Sequence, residues 1–271
     1  MNNNLVVITP IYKKDISKDE YLSLKSSLLH LKAYDKVIVA PKKFKKDKEF
    51  LARWKSYGYK IVFFHNKYFV SVDSYNKFMM NKDFYKTFSE YDYMLIYQLD
   101  VLVFSNSLDY WMSRKIDYVG APWIVEDEEG KRFQGAGNGG LSLRNIKTFI
   151  NVLESKKLFN KRESFQKLSL NTKFRNIWIL WLLLRTSISR YFAGLYRLVY
   201  KEQEDYFWAY YATFFVKEFR VATVKESLLF AFERCPEFCF EQNNQTLPFG
   251  VHAWERYNPV FWEKYQQIAS K

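Results

Sequence analysis

The segment YMLIYQLDVLVF (93–104) carries one charged side chain, Asp100, among residues that otherwise suit a buried β-strand. A buried charge is costly unless it is paired or bound to a cation. Carboxylate oxygen is the ligand that Mg²⁺ and Mn²⁺ prefer, and these ions usually keep water and substrate phosphates as their other ligands. The alternative is an aspartate that caps a turn by accepting backbone N–H groups. Asp100 is therefore a candidate cation ligand near the end of a strand.

A second feature is the glycine cluster in FQGAGNGGLSLRN (133–145). Gly135, Gly137, Gly139 and Gly140 are four of only nine glycines in the chain. Such clustering indicates that the backbone takes unusual dihedral angles or comes very close to a ligand. A simple hairpin loop is the other interpretation.

The order of elements around these residues predicts an α/β fold. The predicted elements are strand 4–12, helix 18–32, strand 36–41, helix 44–57, strand 59–64 and, after a further helical stretch, the segment 93–104, in which a central strand ends near Asp100 and another short apolar strand follows. This alternation is typical of a parallel sheet with helices packed on it, which makes the first half Rossmann-like. Ligands bind such sheets outside the carboxyl ends of the strands, where Asp100 falls.

Two common nucleotide sites are excluded, because TPIYKK follows the first strand in place of a G-x-G-x-x-G or P-loop sequence. No Pro/Gly/Ser-rich linker divides the chain. We therefore expect one domain over residues 1–271, with a nucleotide-binding half at about 1–145 and an acceptor half at about 146–271.

Five segments, in order YQLDVLVF, DYVGAPW, GNGGLSLRN, EDYFW and PFGVHAWERY, resemble a bacterial family of GT-A glycosyltransferases from surface polysaccharide gene clusters. The resemblance implies a GT-A fold, with a mixed, mostly parallel sheet flanked by helices and a helical insertion around 160–202. The D-x-D motif, which holds a divalent cation and the nucleotide sugar in GT-A enzymes, corresponds here to Gln98-Leu99-Asp100. An amide thus stands at the first acidic position, and one carboxylate remains to hold Mn²⁺ or Mg²⁺.

The resemblance also implies roles for an acidic pair and a histidine. Glu204 and Asp205 open a predicted helix, and in related inverting GT-A families the second acid of such a pair takes the acceptor's proton. Acids at a helix N-terminus are also favoured by its dipole, without any catalytic role. His252 corresponds to a C-terminal histidine that in many GT-A enzymes completes the cation site or contacts the diphosphate. A packed histidine among aromatic residues is the alternative.

The reaction implied is displacement of a nucleoside diphosphate from a sugar, with UDP as the family's commonest nucleotide. The residues implied to contact the nucleotide sugar are Thr9, Pro10, Tyr12, Tyr75, Asn76, Gln98, Asp100, Gly139 and Gly140. Helix packing explains Tyr75 equally well. Trp123 suits either a sugar-stacking position or the core.

The formal net charge of +13 indicates an anionic partner or a strongly solvated surface. Lysines in PKKFKKDKEF (41–50) alternate with apolar residues, as on the exposed face of a helix. Residues 173–201 combine tryptophan, leucine and arginine, a composition that fits a helix lying on an anionic membrane surface. A core helix pair with a basic face is the alternative. No RRM, KH or helix-turn-helix pattern supports nucleic-acid binding.

Two cysteines, Cys235 and Cys239, cannot form a disulfide framework, and the N-terminus does not read as a secretory signal. We therefore expect a cytoplasmic protein, peripheral at the inner face of the cytoplasmic membrane. The predicted function is transfer of a sugar, with inversion, from a nucleotide sugar to a glycan or lipid-linked acceptor in bacterial surface polysaccharide synthesis. The alternatives are a non-catalytic basic protein that binds membranes or nucleic acid, and a sugar-binding fold without activity.

Overall fold

A six-stranded sheet lies at the centre of the molecule in the computed structural model, which describes residues 4–156, 158–160, 190–192 and 203–270. Its strands are β1 (Leu5–Pro10), β2 (Asp35–Pro41), β3 (Lys60–Phe64), β4 (Tyr93–Tyr97), β6 (Tyr118–Val119) and β9 (Leu141–Asn145). They lie in the order β3-β2-β1-β4-β9-β6, with β1 to β4 parallel and β9 antiparallel to both of its neighbours.

Three smaller sheets accompany it. Their strands are β5 (Val101–Val103), β7 (Pro122–Asp127), β8 (Gly130–Ala136), β10 (Leu158–Asn160), β11 (Arg190–Phe192), β12 (Ala231–Phe232) and β13 (Gly250–His252). Strands β7 and β8 form an antiparallel hairpin, and β10 pairs with β11. Strand β13 lies between β12 and β5 and runs antiparallel to β5.

The helices connect and cover these strands. They are α1 (Lys18–His30), α2 (Lys48–Ser56), α3 (Val72–Met79), α4 (Lys82–Lys86), α5 (Leu108–Ser113), α6 (Ile146–Glu154), α7 (Glu204–Tyr206), α8 (Ala212–Phe215), α9 (Val224–Phe230), α10 (Pro236–Gln242), α11 (Pro259–Glu263) and α12 (Gln266–Ser270). A π-helical turn, Phe207–Tyr211, joins α7 to α8. No helix in the described ranges is long and apolar enough to cross a membrane.

Local sequence explains where the longer helices begin. Ser17 and Glu20 form a capping box at the start of α1, because each side chain accepts the other residue's backbone N–H. Thr223 and Glu226 repeat this arrangement at α9, and Asn145 caps α6. These side chains satisfy N–H groups that the first helical turn leaves without partners.

The core has two main layers, one on each face of the central sheet. Val6 and Ile8 of β1 contact one layer, which also contains the aromatic side chains of α3, α4 and α6 and of the π-helical turn. Leu5 and Val7 face the opposite layer, which contains residues of α5 and α9. Successive strand residues point to opposite faces, so Leu5–Ile8 of β1 are all apolar because both faces are covered.

The predicted mixed, mostly parallel α/β sheet flanked by helices is confirmed. The segment 93–104 forms two strands, as expected, because Gln98–Asp100 leaves the central sheet and β5 pairs with β13 instead. The predicted helical insertion around 160–202 lies outside the described residues except for Arg190–Phe192, which form strand β11. The predicted membrane-surface segment 173–201 lies outside them with the same exception.

Candidate active site

Three polar side chains meet beyond the carboxyl end of β4. Gln98 and Asp100 belong to the turn between β4 and β5, and His252 ends β13. The antiparallel pairing of β13 with β5 places His252 opposite Val101. His252 Nε2 therefore lies 3.5 Å from Asp100 Oδ1 and 3.3 Å from Gln98 Oε1. The topology thus brings together residues that are far apart in the sequence.

Asp100 remains ionised although it is largely buried. Burial acts to raise its pKa, but the hydrogen-bonding capacity and charge of the neighbouring His252 outweigh burial and lower that pKa. The contact at 3.5 Å is an ion pair, and Oδ1 of Asp100 is buried without any hydrogen-bond partner in the described part of the chain. An anionic oxygen in this state fits a bound cation.

Glu233, at the end of β12, holds the other side of the His252 ring. Its Oε1 lies 2.9 Å from Nδ1 of His252. The Asn138 side chain donates to both oxygens of Glu233, each at 3.0 Å. Burial acts to lower the pKa of His252, but the carboxylates of Asp100 and Glu233 raise it to about 10. A carboxylate that fixes one ring nitrogen is the usual partner of a metal-binding histidine.

These side chains fit a divalent cation only as a partial ligand set. No group of three or more His, Cys, Asp or Glu within the described ranges is arranged to hold a metal ion. Asp100 would supply an oxygen that accepts no hydrogen bond in the described residues, and His252 would supply Nε2 once a cation displaces its proton. The remaining ligands would be water and phosphate oxygens, as Mg²⁺ and Mn²⁺ commonly require.

The acidic pair opens α7, and its two members are in different states. Glu204 forms a buried ion pair with Arg144 (Oε1 to Nη2, 2.7 Å; Oε2 to Nη1, 3.2 Å). Arg144 is fully buried and also donates to the Tyr85 hydroxyl and to Ser142 Oγ. Glu204 is thus committed to a structural ion pair.

Asp205 forms no ion pair in the described structure, and it is only 5% exposed. Burial, followed by repulsion from Glu204, raises its pKa to about 7. The Tyr206 backbone N–H donates to its Oδ1 at 2.8 Å and opposes part of that increase. A carboxylate with a pKa near neutrality can accept a proton at physiological pH.

Gly139 and Gly140 lie between these two groups. A Cβ on Gly140 would lie 2.0 Å from Nε2 of His252, and one on Gly139 would lie 2.6 Å from Oε1 of Glu204. Only glycine therefore allows the backbone to pass between the histidine and the acidic pair. We call the combined set of Gln98, Asp100, Glu204, Asp205 and His252, with this glycine pair, the candidate site.

The other predicted nucleotide-binding residues divide into two groups. Tyr75 accepts a hydrogen bond from Gln98 Nε2 at 3.3 Å, and the Asn76 side chain accepts from the Glu204 backbone N–H at 3.5 Å. Helix α3 thus reaches the candidate site. Thr9 and Pro10 are buried and Tyr12 is 59% exposed. No side-chain hydrogen bond joins these three to the candidate site among the described residues.

Three residues of the network were not predicted from the sequence. Arg144 lies on the buried strand β9, where a charged residue signals a buried partner. Asn138 lies in the glycine cluster and orients Glu233. Glu233 follows the two-residue strand β12, and no motif marks it.

A cavity of about 370 Å³ lies elsewhere. Its wall is mostly apolar and includes Phe104, Trp111, Leu229 and Phe249. It contains no residue of the candidate site, and the chemistry described above does not depend on it.

A family model described as "Protein of unknown function (DUF5672)" matches residues 58–252, more than two thirds of the chain. The chain belongs to the DUF5672 family. The matched range of this DUF5672 protein includes every residue of the candidate site. No curated protein matches the chain significantly.

Several solved structures resemble this DUF5672 protein distantly. Glycosyltransferase GlyE of Streptococcus pneumoniae has 12% identity and a TM-score of 0.43, over 99% of this chain and 62% of GlyE. Mouse xyloside xylosyltransferase 1 has 11% identity and a TM-score of 0.45, over 92% of this chain and 97% of that one. The bifunctional glycosyltransferase WbbM has 8% identity and a TM-score of 0.44, over 100% of this chain and 50% of WbbM.

The DUF5672 chain thus spans 62% of the length of GlyE and 50% of the length of WbbM. Overlaps this weak carry no argument about activity. What this protein does must be inferred from its own residues.

Proposed function

We propose that this DUF5672 protein is a glycosyltransferase that moves a sugar from a nucleotide sugar to a hydroxyl acceptor. One observation carries the proposal. A buried carboxylate oxygen of Asp100 that accepts no hydrogen bond among the described residues lies 3.5 Å from Nε2 of His252, and a second carboxylate with a pKa of about 7, Asp205, lies across the glycine pair from them. Asp100 and His252, with a divalent cation between them and the donor, suit a charged diphosphate, and Asp205 suits the proton of the acceptor.

The donor side would contain Gln98, Asp100 and His252, with Tyr75 against Gln98. Asp100 and His252 would hold a divalent cation, which stabilises negative charge on a leaving diphosphate. Glu233 fixes the orientation of the His252 ring through Nδ1. The position beyond the carboxyl end of a central strand is where open α/β sheets bind nucleotides.

The acceptor side would use Asp205 as the base. As the acceptor hydroxyl attacks the anomeric carbon, its proton passes to the Asp205 carboxylate. Glu204 would not be the base, because both its oxygens already bind Arg144. Direct displacement with one base gives inversion at the anomeric carbon.

The finer features of the proposal are carried by the motif resemblance described above. They are UDP as the nucleotide, a glycan or lipid-linked acceptor, a role in bacterial surface polysaccharide synthesis, and a place at the cytoplasmic face of the membrane. A divalent cation belongs to the same set.

The test is thermal stabilisation of the purified protein by a panel of nucleotides and nucleotide sugars, with and without Mn²⁺. We expect a rise in Tm with UDP or one UDP-sugar that requires Mn²⁺ and is lost in Asp100→Asn. Asp83→Asn is the matched control, since Asp83 is an exposed aspartate on α4. It should keep the full rise.

Each result has a definite meaning. A nucleotide-induced rise in Tm that does not depend on Mn²⁺ would support the transferase but contradict the role of a divalent cation in it. No rise with any nucleotide would overturn the proposed function. A rise that Asp100→Asn leaves intact would place the donor elsewhere in the fold.

A further inference from the structure

We propose that Trp123, Tyr206 and Tyr210 form the acceptor subsite, and that it takes the ring of an uncharged pyranoside. We call these three residues the aromatic platform. The assignment to the acceptor rests on the proposed function, because it depends on Asp205 as the base. That the platform binds a sugar ring rests on its own geometry.

Trp123 stacks on both tyrosine rings. The indole of Trp123 lies 4.6 Å from the Tyr206 ring at 25° and 5.6 Å from the Tyr210 ring at 21°. The two tyrosine rings are 5.2 Å apart. Rings on opposite faces of an indole would be separated by about two stacking distances. Both tyrosines therefore pack on the same side of Trp123, and its other face has no ring partner in the described structure.

The platform is also more exposed than the aromatic residues around it. Trp123, Tyr206 and Tyr210 are half-buried, whereas Phe207 and Trp208 are buried in the core. Tyr210 shares the π-helical turn Phe207–Tyr211 with these core residues, and Tyr206 immediately precedes it. Turns of this kind are rare and frequently occur at functional sites.

The platform continues directly from the proposed base. Tyr206 follows Asp205, and its backbone N–H donates to the Asp205 carboxylate at 2.8 Å. A sugar ring that stacks on Trp123 would therefore lie against the segment that carries the base.

Charge selects which sugar fits. Glu204 and Glu233 both act on Asp205 as like charges, and Arg144 is already paired with Glu204. On the β7–β8 hairpin, Lys131 and Arg132 are paired with Glu126 and Asp127. A carboxylate or phosphate on the acceptor would thus meet repulsion without a free cation on these elements. The negative faces of aromatic rings instead attract the C–H groups of a neutral pyranose.

The experiment is saturation-transfer NMR on the full chain with four methyl pyranosides. Three are neutral, the glucoside, galactoside and N-acetylglucosaminide, and one is the glucuronide. Spectra are recorded with and without UDP and Mn²⁺. The variants are Trp123→Ala, Trp123→Phe and, as a matched control, Tyr110→Ala, because Tyr110 is 51% exposed and lies outside the candidate site.

We expect transfer to the ring protons of at least one neutral pyranoside and none to the glucuronide. Trp123→Ala should weaken binding about five- to tenfold, the loss of roughly one stacking contact. Trp123→Phe should restore part of it, and Tyr110→Ala should leave it unchanged. Far-UV circular dichroism and the nucleotide-induced Tm shift of Trp123→Ala show whether the variant is folded.

Three results would overturn the inference: no transfer from any pyranoside to the wild type, equal transfer to the glucuronide, or unchanged binding in Trp123→Ala. The nucleotide panel separates this failure from that of the proposed function. If nucleotides bind and pyranosides do not, only the platform fails. If pyranosides bind through Trp123 and no nucleotide binds, the aromatic platform is confirmed as a sugar-binding site and the proposed transferase function is wrong.

Discussion

At the scale of single residues, the chemistry depends on two neighbouring acids that their surroundings hold in different states. Glu204 gives both oxygens to Arg144, whereas Asp205 is buried beside it without a cation of its own. Burial, followed by repulsion from Glu204, raises the pKa of Asp205. Since both residues lie at the same helix start, the helix dipole cannot explain the difference between them.

Asp205 should set the pH dependence of both activity and stability. Its pKa rises from 3.8 in the unfolded chain to about 7 in the folded protein. The folded protein therefore keeps a proton that the unfolded chain loses, and stability falls as pH rises between about 4 and 7. The full shift corresponds to roughly 4 kcal/mol. Transfer should instead increase through this window and level off above about pH 7, because the base must be ionised.

Asp205→Asn tests both effects. It should reduce kcat about 10²- to 10⁴-fold, the usual contribution of a general base. Its Tm should exceed that of the wild type at pH 8 and match it at pH 4, and the comparison uses scanning calorimetry at both values. A variant that is less stable than the wild type at pH 8 would show that the carboxylate is stabilised in the fold, contrary to this account.

The Arg144–Glu204 pair should behave as a buried ion pair. Glu204→Leu leaves the Arg144 guanidinium buried without its counter-ion and should cost about 3–5 kcal/mol of unfolding free energy. The double variant Arg144→Leu/Glu204→Leu should lose less than the single one, because no uncompensated charge remains. Urea unfolding of the two variants measures this coupling. Additive losses would mean that the two charges do not stabilise each other.

At the scale of elements, the glycine pair between β8 and β9 joins the two halves of the candidate site. Gly140 O accepts the backbone N–H of Gln98 at 3.2 Å, so the same loop is tied to the donor side. The pair also lies close to His252 and Glu204, both carried by distant elements. A change in this loop should therefore disturb ligand binding more than folding.

Gly140→Ala places a methyl group within the His252 ring position and should abolish the nucleotide-induced rise in Tm. Gly58→Ala is the control. Gly58 has φ +79° and open space around its Cα, so an alanine there is strained without touching the site. This control should lower Tm by an amount typical of about 1 kcal/mol and retain the full nucleotide shift. If Gly58→Ala also lost the nucleotide-induced rise in Tm, the loss in Gly140→Ala would be explained by lower stability and not by its position in the candidate site.

At the scale of the whole molecule, a net charge of +13 remains to be explained. In the described structure many surface lysines and arginines are paired with acids, as Lys60 is with Asp35 and Arg53 is with Glu49. Exposed pairs of this kind contribute little to stability and leave the net charge unchanged. The sequence 173–201 combines basic and apolar residues, and we predict that it directs the protein to anionic membranes.

Co-sedimentation with vesicles tests this prediction. The protein should bind phosphatidylglycerol vesicles but not phosphatidylcholine vesicles, and binding should weaken as salt rises. Arg185→Glu/Arg197→Glu should reduce binding severalfold. Lys42→Glu/Lys46→Glu is the matched control, because it changes the net charge equally at two exposed lysines. Equal losses in the two double variants would assign binding to overall charge instead of this segment.

The pattern of residues along the chain indicates the layer architecture and the end of the sheet at which chemistry is expected. Apolar strands of five to seven residues, such as β1, β2 and β4, alternate with capped helices, and this local pattern requires a parallel sheet. Asp100 was identifiable because one charge in an apolar segment needs a partner. The acidic pair, the glycines and His252 were recognised from motifs, and their roles remain predictions.

How these residues act together follows from the folded arrangement. Pairing of β13 with β5 places His252 against Asp100, and α7 packs so that Arg144 binds Glu204 and leaves Asp205 unpaired. Neither result could be predicted locally, because the partners come from strands and helices distant in the sequence. Glu233, Asn138 and Arg144 escaped prediction for the same reason. The pKa of an ionisable side chain, and whether a position can hold only glycine, depend on neighbours that are brought close by folding.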